Sequence, residues 1–153
     1  MSRAKVLRVK RGEIKFESVT FNYKQTHSVL TNFNLDILPK EKIALVGPSG
    51  AGKTTVTKIL LRLYDIQRGK ICIDGQRLDK VTQESLWANL SLVPQDPILF
   101  HRSLKENIRY GRPEATDKEV YKAAKLAHCH EFISQFPEGY ETFVGERGVK
   151  LSG

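Results

Sequence analysis

The sequence has few of the residues on which membrane-embedded or disulfide-stapled proteins depend. It contains two cysteines, one tryptophan and one methionine among 153 residues, and its longest uninterrupted apolar run covers only residues 43–46. A membrane-spanning helix needs about 20 mostly apolar residues, and a disulfide framework needs several cysteine pairs. The composition therefore excludes both classes for this stretch of chain. The 40% of apolar and 27% of charged residues are typical of a globular domain.

Acidic residues are absent from the first 12 positions, although the formal net charge of the chain is +8. Five of the 25 basic residues lie in this segment, ahead of the first acid, Glu13. A short basic segment of this kind is typical of a solvated arm or linker, which we predict for residues 1–12. A membrane-surface or nucleic-acid contact is the alternative. The sequence has neither an aromatic-rich RNA motif nor a basic heptad array, so we predict that nucleic acid is not a partner.

Hydrophobic periodicity divides the remainder into a mixed α/β part and a mostly helical part. Alternation of apolar and polar residues predicts strands before residue 38, and its change of phase near Ser18 indicates a β-bulge. A continuous apolar run predicts a strand covered on both faces, and apolar positions spaced i, i+3, i+4 and i+7 predict a helix after it. The predicted strands are 14–23, 33–37, 43–46, 71–74 and 90–93, and the predicted helices are 56–63 and 116–127.

A glycine-rich motif lies between the apolar run 43–46 and the helix that follows. Residues 47–54 fit the pattern G-x-x-x-x-G-K-[ST]. Glycines let the backbone wrap closely around a phosphate, where a Cβ would collide. The N–H groups of the loop and of the first helical turn then point at the anion. The motif predicts that Lys53 reaches the β- and γ-phosphates of a nucleotide and that the Thr54 hydroxyl binds Mg²⁺.

The chain resembles the nucleotide-binding domain of ATP-binding cassette (ABC) transporters, from about residue 13 to residue 153. Residues 47–55 match the family's Walker A loop, Gln95 matches its Q-loop glutamine, and Tyr23 lies where the family stacks an aromatic ring on adenine. Residues 151–153 match the opening of its LSGGQ signature. The segments 139–148 and 94–100 are similar to those of exporters in particular.

The resemblance implies an α/β fold with a P-loop NTPase core, an N-terminal antiparallel β-subdomain and part of an α-helical subdomain. We expect the core with its β-subdomain at 13–97 and the helical subdomain at 98–153. ATP and Mg²⁺ are the implied ligands, with Lys53 and Gln95 in catalysis and Thr54 and Gln95 at the metal. The implied nucleotide-binding residues are Tyr23, Gly47, Pro48, Ser49, Gly50, Ala51, Gly52, Lys53, Thr54, Thr55 and Ser152.

The family also implies partners and a location. Two cassettes pair around two ATP molecules, Ser152 faces the γ-phosphate of the partner, and a membrane domain holds the pair at the cytoplasmic face of a membrane. The sequence ends inside the signature, ahead of the family's Walker B aspartate, catalytic glutamate and switch histidine. We therefore expect these residues alone to be inactive as an ATPase. The alternatives are a nucleotide-binding module without turnover, or a soluble ABC-type ATPase acting on nucleic acid or ribosomes.

Overall fold

The chain consists of two units, of which the first ends at Leu92 and the second begins at Val93. The computed structural model describes residues 4–23 and 28–145. The sequence predicts the corresponding boundary slightly later, after residue 97. No helix in the described ranges has the length and apolar character that crossing a bilayer requires.

The first unit is built on a four-stranded antiparallel sheet. Its strands are β1 (Ile14–Phe21), β2 (Leu30–Ile37), β3 (Arg68–Ile73) and β4 (Gln76–Arg77), in the order β2-β1-β3-β4. Helix α1 (Lys53–Leu60) connects β2 to β3, and helix α2 (Gln83–Trp87) follows a 3-10 turn at Leu78–Lys80. This arrangement confirms the α/β class and the antiparallel N-terminal β-subdomain.

A bulge interrupts β1, as the sequence predicts. The pairing of β1 with β2 changes register between Phe16 and Val19, and Ser18 adopts a positive φ of 48°. The bulge brings apolar residues on both sides of it onto one buried face. Gly69 of β3 lies against it, where an added Cβ would stand only 2.4 Å from the Glu17 carbonyl oxygen.

The core of the first unit joins the sheet to α1. The residues of α1 that face the sheet are Val56 and Ile59, which match the predicted helical spacing. They share one buried cluster with side chains from three strands. The strand residues of this cluster are Phe16, Val19, Phe21, Leu30, Ile71 and Ile73.

Residues 5–12 are mostly exposed, as the sequence predicts, but their backbone is fixed by contacts within the first unit. Leu7 is only 2% exposed and belongs to the core, and its N–H donates to Ser85 Oγ at 2.8 Å. The side-chain amide of Gln76 binds both the N–H and the carbonyl of Arg8. The Asp74 carboxylate accepts hydrogen bonds from four successive backbone N–H groups, those of residues 10–13. The basic side chains are exposed, as their charge indicates, whereas buried Leu7 and these acceptors fix the backbone of the segment.

Two predicted strands are also wrong, at 43–46 and 90–93. Both segments lack regular secondary structure, and Val46 and Val93 are 89% and 91% exposed. A strand depends on a neighbour that accepts and donates along its edge. Neither segment pairs with a strand elsewhere in the described ranges. Apolar character alone therefore does not make these segments strands.

The regular secondary structure of the second unit is mostly helical, as predicted. It contains α3 (Leu104–Arg109), α4 (Asp117–Leu126) and α5 (His130–Ile133), a 3-10 turn at Gly139–Glu141, and a small sheet of β5 (Arg102–Ser103) and β6 (Phe143–Val144). Helix α4 lies within the predicted helix 116–127 and begins with a capping box formed by Thr116 and Glu119. The core of this unit consists of Leu104, Ala124, Ile133 and Val144.

Candidate functional site

The glycine-rich loop leads directly into α1. Gly50 and Gly52 have φ values of 82° and 84°, a left-handed conformation that L side chains rarely adopt. Gly52 is the N-cap of α1 and has no side chain to accept from the first N–H groups of the helix. These donors, together with the positive end of the helix, make the loop a place where an anion is stabilised.

Gly52 also allows the start of β2 to approach the loop. A Cβ at this position would lie 3.1 Å from Leu30 Cδ2 and 3.3 Å from the Val29 carbonyl oxygen. Such contacts are tighter than a side chain normally makes, so β2 would have to move. The second glycine of the motif therefore sets the distance between the loop and the sheet.

The side chain of Lys53 lies across the glycine-rich loop. Its Nζ donates to the carbonyl oxygens of Gly47 and Pro48, each at 2.7 Å. An ammonium group has three N–H donors, so a further one is available to an anion seated in the loop. The lysine of the motif is thus held over the loop backbone by the loop itself.

The two threonines after Lys53 have different surroundings. Thr54 is exposed at the cavity beside the loop, whereas Thr55 is only 5% exposed. The Thr55 hydroxyl lies 3.1 Å from the hydroxyl of Tyr23, within hydrogen-bonding distance. Thr54 therefore offers an oxygen ligand of the kind that Mg²⁺ prefers, and Thr55 joins α1 to Tyr23.

Tyr23 forms an aromatic wall next to the loop. Its ring is 45% exposed and lies nearly perpendicular to the rings of Phe21 and Tyr64, with centroids 4.9 and 5.1 Å away. Lys58 Nζ lies 5.9 Å from the ring centroid. An exposed aromatic ring held in this way provides an apolar face on which a planar base can stack.

A cavity of about 310 Å³ joins these parts. It is open to solvent, and among the described residues its lining contains amide groups, two threonines, a lysine and an aromatic ring but no carboxylate. The lining residues are Tyr23, Val29, Ser49, Gly50, Ala51, Gly52, Lys53, Thr54 and Thr55. The donor set suits a polyphosphate with an aromatic group attached, and Thr54 suits a magnesium ion bound to it.

The structure brings together most, but not all, of the site residues that the sequence predicts. Gly47 and Pro48 belong to the loop through their contacts with Lys53, and Tyr23 lies beside it. Gln95 is an exposed residue of a loop in the second unit. Ser152 lies outside the described residues. Sequence reasoning missed Tyr64, for which its position just after the predicted helix is the only sequence signal.

The family model described as ABC transporter matches residues 30–153. The chain belongs to the ABC transporter family. An uncharacterized ABC transporter ATP-binding protein of Haemophilus influenzae is 53% identical to it over 156 residues, covering 99% of this chain and 25% of that protein. ATP-binding cassette sub-family B member 6 of Mesocricetus auratus is 51% identical over 147 residues, covering 96% of this chain and 18% of that protein.

A solved structure is also similar to the whole chain. It is described as a bacterial Atm1-family ABC exporter with ATP bound, and it matches with a TM-score of 0.92 and 45% sequence identity. The match covers 100% of this chain and 27% of the other. The chain thus spans between about a fifth and about a quarter of the length of these relatives. The solved structure shares the fold of the chain and is the one described as an exporter.

Proposed function

We propose that this chain is the ATP-binding part of an ABC exporter, and that ATP binds in the cavity between the glycine-rich loop and Tyr23. The observation that carries the proposal is the arrangement of Lys53 over the loop with an exposed tyrosine ring at its side. One end of the cavity offers positive charge and N–H donors, and the other offers an aromatic face. A nucleoside triphosphate has the matching chemistry at its two ends.

Each part of the site has a distinct role in this proposal. The N–H groups of residues 47–55 and the ammonium of Lys53 bind the phosphates, and Tyr23 stacks on the adenine. Thr54 supplies one oxygen to Mg²⁺, which neutralises phosphate charge when it is bound. The resemblance to the family, and not the geometry of the cavity, is the basis for adding Gln95 to the proposed metal ligands and Ser152 to the proposed nucleotide-binding residues.

The wider function follows from the relatives. The bacterial Atm1-family structure is an exporter with ATP bound, and the proposal carries this class of activity over to the protein of which the chain is a part. Its partners would be a second cassette and a transmembrane domain, with the cassette at the cytoplasmic face of the membrane. The complete cassette would bind and hydrolyse ATP to drive transport.

Binding without turnover is the second candidate, for these 153 residues taken alone. It is favoured by a specific observation, because no Asp or Glu lines the described cavity. Phosphoryl transfer to water needs a group that orients the attacking water and carboxylates that hold the metal. The soluble alternative that acts on nucleic acid or ribosomes has less support, since the relatives are transporters.

Isothermal titration calorimetry with ATP, inorganic triphosphate and adenosine tests the binding site. Lys53→Ala removes a charge-assisted contact to phosphate, so ATP and triphosphate should bind about 10- to 100-fold more weakly. Adenosine affinity should stay unchanged. Lys118→Ala, which removes an exposed lysine of α4 in the second unit, is the matched control. Equal loss of adenosine and triphosphate affinity would refute the phosphate role of Lys53.

A further inference from the structure

The segment that follows α1 turns back towards Tyr23. Helix α1 ends at Leu60, and Arg62 adopts a left-handed conformation with φ of 52°. The Arg62 guanidinium holds this turn by donating from Nη1 to the carbonyl oxygens of Leu78 and Val81, at 3.0 and 2.8 Å. Helix α1 therefore has the phosphate loop at its start and a fixed segment, residues 61–67, at its end. We call residues 61–67 the return segment.

Tyr64 is the residue that this return segment brings against Tyr23. The two rings are nearly perpendicular, with an interplanar angle of 89° and centroids 5.1 Å apart. Tyr64 also contacts Phe21, at 5.8 Å between centroids. Edge-to-face pairs of this geometry are favourable beyond simple burial. Tyr64 is itself 43% exposed, so it packs beside Tyr23 at the surface and not in the core.

Gln67 fixes the backbone that carries Tyr23. Its side-chain amide pairs with both backbone groups of Asn22: Oε1 accepts from the Asn22 N–H at 2.9 Å, and Nε2 donates to the Asn22 carbonyl at 3.1 Å. The Gln67 backbone N–H donates to the Thr20 carbonyl at 3.1 Å. The return segment thus binds Tyr23 twice, through the ring and through the preceding peptide.

We propose that Tyr64 is a positioning residue for base recognition, acting through Tyr23, and that Gln67 supports it by holding the backbone of Asn22. The inference rests on the proposed function of the cavity. An exposed tyrosine has several side-chain rotamers, and only some of them present the ring to a base. A ring that is already held in one orientation loses less conformational freedom when the base stacks on it.

The test compares ATP with inorganic triphosphate, because only ATP carries a base. Tyr64→Leu should weaken ATP about 3- to 10-fold, the size expected from loss of one aromatic pair. Triphosphate affinity should change by less than about twofold. Tyr64→Phe keeps the ring and should restore the ATP preference. Tyr110→Leu, which removes a tyrosine that is 63% exposed in the second unit, should leave both affinities unchanged.

A second background separates positioning from general stability. In Tyr23→Ala the ring through which Tyr64 acts is gone, so adding Tyr64→Leu should have no further effect on ATP affinity. Gln67→Ala should behave like Tyr64→Leu, because it releases the backbone beside Tyr23. A substitution that only unfolded the site would weaken ATP and triphosphate together in every background.

The outcomes distinguish this inference from the function on which it rests. If the unsubstituted chain binds neither ATP nor triphosphate, the proposed function fails and the inference fails with it. If the chain prefers ATP over triphosphate and Tyr64→Leu keeps that preference, the function stands and the role of Tyr64 is refuted. An effect of Tyr64→Leu that persists in full in Tyr23→Ala would also refute it.

Discussion

The hydroxyl groups of Tyr23 and Thr55 lie 3.1 Å apart. Thr55 is on the first turn of α1, two positions after Lys53, and it is almost fully buried. Tyr23 lies two residues after the end of β1 and is about half exposed. One hydrogen bond therefore joins the aromatic ring beside the cavity to the helix that begins at the phosphate loop.

This bond predicts that Tyr23→Phe has a measurable cost. The substitution keeps the ring on which adenine would stack, but it leaves the buried Thr55 hydroxyl without its partner. We expect a loss of about 0.5–1.5 kcal/mol in the free energy of unfolding, whereas Tyr23→Ala should also lose about 1–3 kcal/mol in the free energy of ATP binding because stacking is lost. Urea denaturation measures the first loss and calorimetric titration the second.

Thr55→Val supplies the matched control, because it removes the other hydroxyl at nearly the same volume. A double-mutant cycle of Tyr23→Phe and Thr55→Val isolates the coupling between the two groups. Additive effects would mean that the hydroxyl contact contributes nothing. A loss of triphosphate affinity equal to the loss of ATP affinity in Tyr23→Ala would contradict adenine stacking.

Local sequence patterns predicted much of the first unit because its helix, its bulge and its glycine-rich loop are determined by neighbouring residues. The spacing of Val56 and Ile59 predicted α1, and the change of phase at Ser18 predicted the bulge. The loop at 47–54 could be predicted because glycines followed by a lysine at this spacing are typical of phosphate-binding loops. Each of these features depends on residues close together in the sequence.

Features that depend on residues far apart in the sequence could not be predicted from it. The apolar run at 43–46 predicted a strand, but strand pairing needs a partner, and the described residues provide none for it. The positive charge of residues 1–12 predicted solvated side chains, but no local pattern predicted that Leu7 and the acceptor Asp74 fix the backbone of residues 7–13. The contacts of Tyr23 with Thr55 and Tyr64 join positions more than 30 residues apart, and no spacing rule reports them.

Gly69→Ala should strongly destabilise the first unit. Gly69 has φ of 85°, and an added Cβ would lie 2.4 and 2.5 Å from the carbonyl oxygens of Glu17 and Ser18. These atoms belong to the backbone of the bulge and cannot rotate away. We expect a loss of more than about 2 kcal/mol in the free energy of unfolding, measured by urea denaturation.

Gly75→Ala is the matched control for that substitution. Gly75 has a similar φ of 72°, but no atom lies within 4 Å of its added Cβ. It should cost only about 1 kcal/mol, for the left-handed backbone. Equal costs at the two glycines would show that the close approach of Gly69 to the bulge is unimportant.

Asp74→Asn should loosen the N-terminal segment at neutral pH. The four backbone N–H groups of residues 10–13 hold the pKa of the Asp74 carboxyl well below its usual range. Replacing the carboxylate removes the charge and one acceptor oxygen. The site is near the surface, so we expect a loss of only about 1–2 kcal/mol in the free energy of unfolding. Amide hydrogen exchange of residues 10–13 should become faster.

The pH dependence of this effect has a definite sign. The pKa of Asp74 is lower in the folded state than in the unfolded state, so its contribution is complete above about pH 4 and declines as the pH falls below that value. The difference between Asp74→Asn and the unsubstituted chain should therefore shrink in acid. Asp36→Asn, an exposed position of β2, removes the same charge as a control. A difference that stayed constant with pH would contradict the role of the carboxylate.

The 153-residue chain should bind ATP without multiple turnover. The loop, Lys53 and Thr54 are the proposed ligands of phosphate and metal, but no described residue of the cavity lining has a carboxylate that could orient a water or hold the waters of Mg²⁺. Catalysis of phosphoryl transfer consists almost wholly of positioning and electrostatic stabilisation, so each such group that is absent from the site lowers the rate directly.

Phosphate release from the purified chain, at saturating ATP and Mg²⁺, measures this prediction. Lys53→Ala provides the background, because it removes the phosphate contact while leaving any contaminating ATPase untouched. We expect the chain and the variant to release phosphate at the same rate, although only the unsubstituted chain binds ATP in the calorimeter. Several turnovers per chain that disappear in Lys53→Ala would mean that groups within these residues supply the hydrolytic chemistry. The carboxylates would then have to come from outside the lining described for this cavity.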